Sequence, residues 1–456
     1  MTQAFTLSSV LASLSHALDL TEGQPAGHSI RACLIGMEIG TEPGLSSKEL
    51  SDLYYALLLK DAGCSANAAP VADLFGSDDR LVKPKMKVTN WSGFVSGASY
   101  MIRSAGLGSS LTRKLIQLVG IVRGGGKAAR ELTRIRCERG AMIAGGLGFA
   151  APTCDAIRHL DEHWDGAGHP YGVDGVEIPL LARICSIAQT VEVFLSQTGK
   201  DAALEVVQVR RKKWFGPDVS DVVLGWGDRD GWWQDVRAAT NTDALTDLEP
   251  QDHVRRVSLA QLDQVAESFA GIIDAKSPYT FQHSTRVARI ARELGTRLGV
   301  SDEDGRMLYQ GGLLHDVGKL GISNRILDKP GALTPQEFEQ ITLHPVHSWE
   351  ILSHVEAFSH LAAAASRHHE RLDGKGYPWG LAEGDLELTT RIITVADVFE
   401  AITANRPYRS PMPTNRVLQV LEESAGSALD PDVVSTMLGL IDEHPNDLGL
   451  GMAGAG

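Results

Sequence analysis

Seven side chains in the C-terminal half of the sequence have the types a metal centre needs: His283, His315, Asp316, His344, His368, His369 and Asp397. Neutral imidazoles and carboxylates suit divalent Fe, Mn, Ni or Zn. Eight of the 15 histidines fall between His283 and His369, and packing gives no reason to concentrate imidazoles there. His315 and Asp316 are neighbours, about 100° apart around a helix. They can address one centre from two directions, or Asp316 can bridge two centres. His368 and His369 form a second such pair. Asp397 stands beside the apolar run Ile392–Ala396, where a carboxylate is costly unless a metal or a partner neutralises it. A helix cap or a salt bridge is the alternative for it. Seven ligands exceed the needs of one ion. Two ions about 3.5–4 Å apart would lower the pKa of a bridging water, giving a hydroxide nucleophile, and clamp a phosphoryl group for in-line displacement.

Lys319 follows Asp316 by three residues and is placed to neutralise a phosphate oxygen. A solvated lysine at a helix end is its alternative. Asp316 and Lys319 are the candidate catalytic residues. Asp373-Gly374-Lys375-Gly376-Tyr377-Pro378 is a turn by composition, with glycines that allow positive φ. It follows the paired histidines directly, so Gly376 and Tyr377 are expected to wall a substrate pocket. Arg406 and Arg409 come after the Asp397 segment. They could grip phosphate bidentately, stack on a base, or face solvent.

The elements that position these residues read as helices. Val287, Ile290, Ala291, Leu294 and Leu298 recur at three- and four-residue steps, and His283 shares their face. The weakly alternating run Leu204–Val209 fits a strand or a helix. An internal repeat also appears. His28-Ser29-Ile30-Arg31 matches His283-Ser284-Thr285-Arg286, and Leu58–Gly63 matches Leu313–Gly318 at the same offset. Asp165–Gly172 matches Asp373–Gly380, and Arg183-Ile184 matches Arg391-Ile392. The expectation is an all-α fold of two homologous helical domains, 1–238 and 257–445. An acidic, weakly structured linker at 239–256 joins them, and 446–456 forms a flexible tail. The first copy carries a basic insertion near 77–139. Its Gly124-Gly125-Gly126-Lys127 lacks full P-loop spacing, so the insertion reads as a solvated or interdomain surface.

A formal charge of −14 argues against a general nucleic-acid or anionic-membrane binder. No apolar run approaches the ~20 residues a membrane span needs, and Met1–Leu20 lacks the features of a signal peptide. The five cysteines are scattered and contain no CxxC, which fits reduced structural thiols in a cytoplasmic protein.

The second copy resembles the HD-GYP subgroup of the HD-domain metal-dependent phosphohydrolases. The likeness covers most of residues 274–433. Its motifs run in order: HSxRVA from His283, LLHDVGKLGI from Leu313, ILDKPGALTPQEFE from Ile326 and HP at His344, then RHHERLDGKGYPWGL from Arg367, TRIITVADVFEAIT from Thr390 and RPYR from Arg406. The resemblance implies an HD helical bundle, two or three Fe or Mn ions, and hydrolysis of cyclic di-GMP to pGpG and GMP. It implies that His283, His315, Asp316 and Asp397 hold one ion. Asp316 would bridge to a second, held by His344, His368 and His369. Lys319 would contact the scissile phosphate, with Arg406 and Arg409 near the substrate.

Three departures stand out. Tyr279 occupies the place where members with a third ion carry Glu, so two ions are expected. Ser348 replaces the Gly of HPxxG, and Glu400 replaces a usual Asp. The first copy is similar to a degenerate relative. Lys60 stands for His315, Arg136 for His344, Leu160 and Asp161 for the histidine pair, and Gln189 for Asp397. His28 and Asp61 remain and are expected to share a structural hydrogen bond. This copy is expected to pack against or regulate the active one, and it is the candidate half for a homodimer contact or a signalling partner. The rival readings are hydrolysis of another cyclic dinucleotide or a phosphomonoester, and a silent nucleotide sensor or adaptor.

Overall fold

The computed structural model describes residues 5–75, 78–80, 130–404 and 410–443. The chain separates into two units, one of residues 1–261 with 323–325, the other of 262–322 with 326–456. Both are helical. Among the described residues the named strands are two short ones, β1 (Phe5–Thr6) and β2 (Arg256–Val257), paired antiparallel.

In the first unit, α1 (Leu7–Glu22), α2 (His28–Thr41), α3 (Ser47–Leu59) and α4 (Leu180–Gln197) build the core. Helix α2 packs on both α3 and α4. A capping box of Ser46 and Glu49 starts α3, satisfying orphan N–H groups at its first turn. The ambiguous run Leu204–Val209 lies in a helix, Lys200–Arg210. Ala203, Val206, Val207 and Arg210 bury at helical steps, which outweighs the weak alternation.

The acidic segment 239–256 is not the weakly structured joint expected. Glu249 is buried and accepts hydrogen bonds from the hydroxyls of Ser8 and Tyr55. Arg255 accepts from the Leu7 N–H at 2.7 Å, and β2 then pairs with β1. Burying a carboxylate among donors ties the segment into the first unit. Of the basic segment 77–139, Lys83 to Lys127 lie outside the described residues. The part from Arg130 on is helical, and Arg130 donates to the Pro170 carbonyl at 2.7 Å. The tail 446–456 is also outside the described residues.

In the second unit, α5 (His283–Arg297) buries Val287, Ile290, Ala291 and Leu294 along one stripe. Helix α6 (Asp302–Leu314) is capped by Ser301, whose hydroxyl accepts from the Asp304 N–H. Its first turn holds Asp302, Glu303 and Asp304, which suit the positive end of a helix. Short helices α7 (Pro335–Ile341), α8 (His344–His354) and α9 (Ala362–Ser366) lead to α10 (Leu388–Thr403). Helix α10 adds Ile392, Ile393, Val395 and Phe399 to the same core. Helix α5 packs on both α6 and α10, so His283, the end of α6 and Asp397 meet.

None of the five cysteines forms a disulfide, and all are buried. Among the described residues, no helix is long and apolar enough to cross a membrane. Removing the Glu249 carboxylate in Glu249→Ala would take the Glu249 acceptor from the buried Tyr55 hydroxyl and leave the Ser8 hydroxyl its longer bond to Thr6 at 3.1 Å. The first unit should lose about 1–3 kcal/mol in urea unfolding, and limited proteolysis between residues 241 and 252 should become faster. Unchanged stability and cleavage would contradict the docked segment.

Candidate metal centre

His315 does not lie inside a helix as its spacing suggested. Helix α6 ends at Leu314, His315 caps it, and Asp316 opens the 3-10 turn Val317–Gly321. The carboxylate of Asp316 is therefore aimed by a chain reversal rather than by a helix face. Its two oxygens face different neighbours. Oδ2 lies 3.4 Å from His283 Nε2 and 3.3 Å from His315 Nε2. Oδ1 lies 3.4 Å from His344 Nε2 and 3.7 Å from His368 Nε2. Asp397 Oδ1 joins the first group, 3.4 Å from His283 Nε2 and 3.8 Å from His315 Nε2. His369 joins the second: donor atoms of His344, His368 and His369 all fall within 4.8 Å of one another. All seven expected residues converge, in two groups with Asp316 between them.

The imidazoles are held in one orientation. His315 Nδ1 lies 2.8 Å from the Gly312 carbonyl, His344 Nδ1 2.6 Å from that of Ile341, and His368 Nδ1 2.7 Å from that of Ala365. Those carbonyls belong to the last turns of α6, α7 and α9, where helical partners run out. A carbonyl only accepts, so each Nδ1 must carry the proton, which leaves the Nε2 lone pair facing the centre. His283 Nδ1 pairs with the Glu400 carboxylate, which fixes it likewise. Glu400 also accepts from Arg286 Nε at 2.9 Å.

The residues fit a bound cation. His283 Nε2, His315 Nε2 and Asp316 Oδ1 are buried without a hydrogen-bond partner, an arrangement that costs free energy unless an ion satisfies it. Burial pushes His344 and His369 well down and His368 to about 4, so these rings are neutral near pH 7, the form that ligates a metal. Burial would also push His283 down, but the carboxylates of Asp316 and Glu400 raise it to about 9. A proton there takes the place a divalent ion would fill. Burial disfavours the charge on Asp316, yet His315 and Lys319 hold it well below the usual range. Lys319 Nζ pairs with Asp316 directly.

The turn expected to wall a substrate pocket packs against the ligand segment. Gly374 and Gly380 adopt φ of +71° and +68°. Gly376 does not need positive φ; a Cβ there would lie 2.5 Å from Glu370 Cα and 2.6 Å from the His369 carbonyl. The turn lies flat on the ligand segment, and Tyr377 stacks on His369 with ring centroids 4.7 Å apart. Glu370 clasps the turn by accepting from the N–H groups of Trp379 and Leu381. Arg406 and Arg409 lie outside the described residues.

The family model described as HD domain matches residues 126–219 and 267–433. The chain belongs to the HD domain family. The 3'3'-cGAMP-specific phosphodiesterase 3 of Vibrio cholerae serotype O1 is 39% identical over 443 residues, 97% of this chain and 96% of that protein. A crystal structure of a cyclic GMP-AMP specific phosphodiesterase of V. cholerae covers 98% of this chain and all of its own, with TM-score 0.66 and 35% identity. A cyclic di-GMP phosphodiesterase of Thermotoga maritima is 35% identical over 184 residues, 40% of this chain and half of that protein. The chain is a metal-dependent phosphohydrolase of the HD-GYP type.

The first stretch of the HD match falls in the first copy, whose corresponding site is altered. Lys60 pairs with Asp61 and lies 3.1 Å from His28 Nε2. His28 and Asp61 are 3.6 Å apart, so the direct hydrogen bond expected between them is not made; the Lys60 ammonium lies against both. Arg136, standing for His344, pairs with Asp161. His28 Nδ1 pairs with Glu192, and Arg31 Nε donates to Glu192 at 2.7 Å. This repeats the Glu400–His283–Arg286 arrangement of the other copy.

Three supporting residues escaped the motif reading. Glu400 looked like a departure but braces His283. Ser348 also looked like one, yet its hydroxyl accepts from the Gly318 N–H at 2.9 Å and donates to the His315 carbonyl at 2.8 Å. Glu370 was not singled out. The repeat held the signal for two of them, since Glu192 and Glu162 stand at the matching offset from Glu400 and Glu370.

Metal analysis after anaerobic purification should find about two ions per chain, the number two separate donor groups would hold. His369→Ala should lower this to about one, and Asp316→Ala well below one. Equal metal in all three proteins would rule out the shared carboxylate. Glu400→Ala should weaken metal retention against a chelator roughly 10–100-fold, and Glu400→Asp should recover part of it.

Proposed function

We propose that this chain cleaves a phosphodiester bond of a cyclic dinucleotide, with 3'3'-cGAMP preferred. The observation that carries the reading is the Asp316 carboxylate, one oxygen toward each of two imidazole groups. His283, His315, Asp316 and Asp397 would hold one divalent ion, and Asp316, His344, His368 and His369 the other, with Fe or Mn favoured over Ni or Zn by the likeness to HD-GYP proteins. Bound there, the ion pair would act as a Lewis acid on the scissile phosphate and supply a nucleophile at neutral pH.

The protein's own part is positioning and charge. Lys319, already beside Asp316, has its ammonium where a phosphate oxygen would gain charge during attack. Gly376 keeps the turn close to His369, and Tyr377 stacks on that ring and holds it in place; both residues are assigned to the substrate side of the centre. Arg406 and Arg409 are assigned to the substrate's remaining phosphate and a base. The first copy, with cations fixed in its site, serves as a regulatory or docking half, through a second copy of the chain or a signalling partner.

The preference for 3'3'-cGAMP rests on extent of likeness. The V. cholerae cGAMP-specific relative matches across both copies, whereas the T. maritima cyclic di-GMP relative matches 40% of this chain. Metal-loaded protein should turn over 3'3'-cGAMP to a linear dinucleotide faster than cyclic di-GMP at equal concentration. A higher kcat/KM for cyclic di-GMP would favour that substrate. His315→Ala should lower kcat at least about 1000-fold, close to 4 kcal/mol of barrier; full activity in it would discard the centre.

A further inference from the structure

Helix α8 carries His344 in its first turn and Ser348 one turn later, on the same face. Ser348 is fully buried. Its hydroxyl accepts from the Gly318 N–H at 2.9 Å and donates to the His315 carbonyl at 2.8 Å. The His315 carbonyl belongs to the peptide bond into Asp316, and Gly318 follows shortly after it. One hydroxyl therefore holds the backbone on both sides of the shared carboxylate. It does so from the helix that supplies a ligand to the second group.

The first copy makes the same close approach without a hydroxyl. Arg136 stands for His344, and Gly140 stands for Ser348 at the same spacing. A Cβ at Gly63 would lie 1.9 Å from the Arg136 carbonyl oxygen and 2.6 Å from the Gly140 nitrogen. At Gly318 the matching distances are 2.0 Å to the His344 carbonyl oxygen and 2.6 Å to the Ser348 nitrogen. Packing the turn on the helix therefore does not need the hydroxyl. The other braces do not divide the copies in this way. Glu192 and Glu400 each pair with a histidine, and Glu162 and Glu370 each clasp a turn. The Ser348 hydroxyl belongs only to the copy that carries the ligands.

The two donor groups differ in what holds them together. His283, His315 and Asp397 sit on α5, the end of α6 and α10, which pack on one another. His344 instead reaches Asp316 from α8, across the turn, with its Nε2 3.4 Å from Asp316 Oδ1. Metal–ligand distances tolerate only about 0.2 Å. A small slide of α8 along the turn would leave the first group intact and open the second. We propose that Ser348 is a positioning residue of the metal centre: it locks α8 to the Asp316 turn and so sets the retention of the ion at His344, His368 and His369. The proposal rests on the two-ion reading of the centre.

The test follows metal release and needs no substrate. The full chain would be loaded with Mn(II) and challenged with EDTA. Release should resolve into two phases, and the His369→Ala chain, with its second group broken, identifies the phase of the first group. Ser348→Gly installs the residue of the first copy, and Ser348→Ala removes only the hydroxyl. Both should speed the second-group phase roughly 10–100-fold, while the first-group phase keeps its rate. Circular dichroism would confirm that both variants fold. Unchanged release of both ions would overturn the proposal. So would equal acceleration of both phases, the mark of a general loosening. A single ion in the unmodified chain would overturn the two-ion reading instead. Faster release of that ion from both variants would still uphold the clamp, and unchanged release would overturn it as well.

Discussion

A carboxylate that faces two groups of imidazoles at once must stay ionised where water hardly reaches it. Asp316 meets that constraint at 1% exposure. Burial alone would drive a proton onto it, and then one oxygen could no longer serve as a donor. Lys319 and the surrounding histidines keep the proton away. The local geometry follows. The helix has to stop at Leu314 so that Asp316 can turn inward, and the 3-10 turn that follows has to run close to α8. Gly318 permits that approach, since a Cβ there would lie 2.0 Å from the His344 carbonyl. The Ser348 hydroxyl then bridges the two strands of chain.

The same economy governs the imidazoles. A helix end leaves carbonyls unpartnered, and an imidazole ligand must hold its outer proton in place. In α6, α7 and α9 each need meets the other. Short helices are thus a working part of the centre, because every helix end offers another anchoring carbonyl. A longer, uninterrupted α7 or α9 would bury those carbonyls in its own ladder and leave the ring free to turn.

The ligand set was legible because it depends on residue type and order along the chain. His315-Asp316 and His368-His369 are visible as pairs, and the flanking apolar stripes show which faces turn inward. The helical class followed from the same periodicity. Other features were illegible for a physical reason. Glu400 and His283 stand 117 positions apart, and no local spacing reports a contact of that span. Glu249 read as part of an acidic joint because charge usually marks solvent; its burial depends on Ser8 and Tyr55, which no local pattern connects to it. The repeat was the one long-range signal available. It aligned landmarks well, but the correspondence of Glu192 with Glu400 was not among those landmarks, so Glu400 stood only as a departure.

Lys60 gives the duplication a further meaning. An ammonium on a four-carbon stem answers His28 and Asp61 in the first copy. That cation is encoded and cannot dissociate. Its counterpart in the second copy would be drawn from the surroundings and could be lost to them. One polypeptide therefore holds two versions of one scaffold, one with its charge balance fixed at synthesis and the other dependent on the metal supply. The charge balance of the first half owes nothing to that supply, whereas the competence of the second follows the chemistry of its environment.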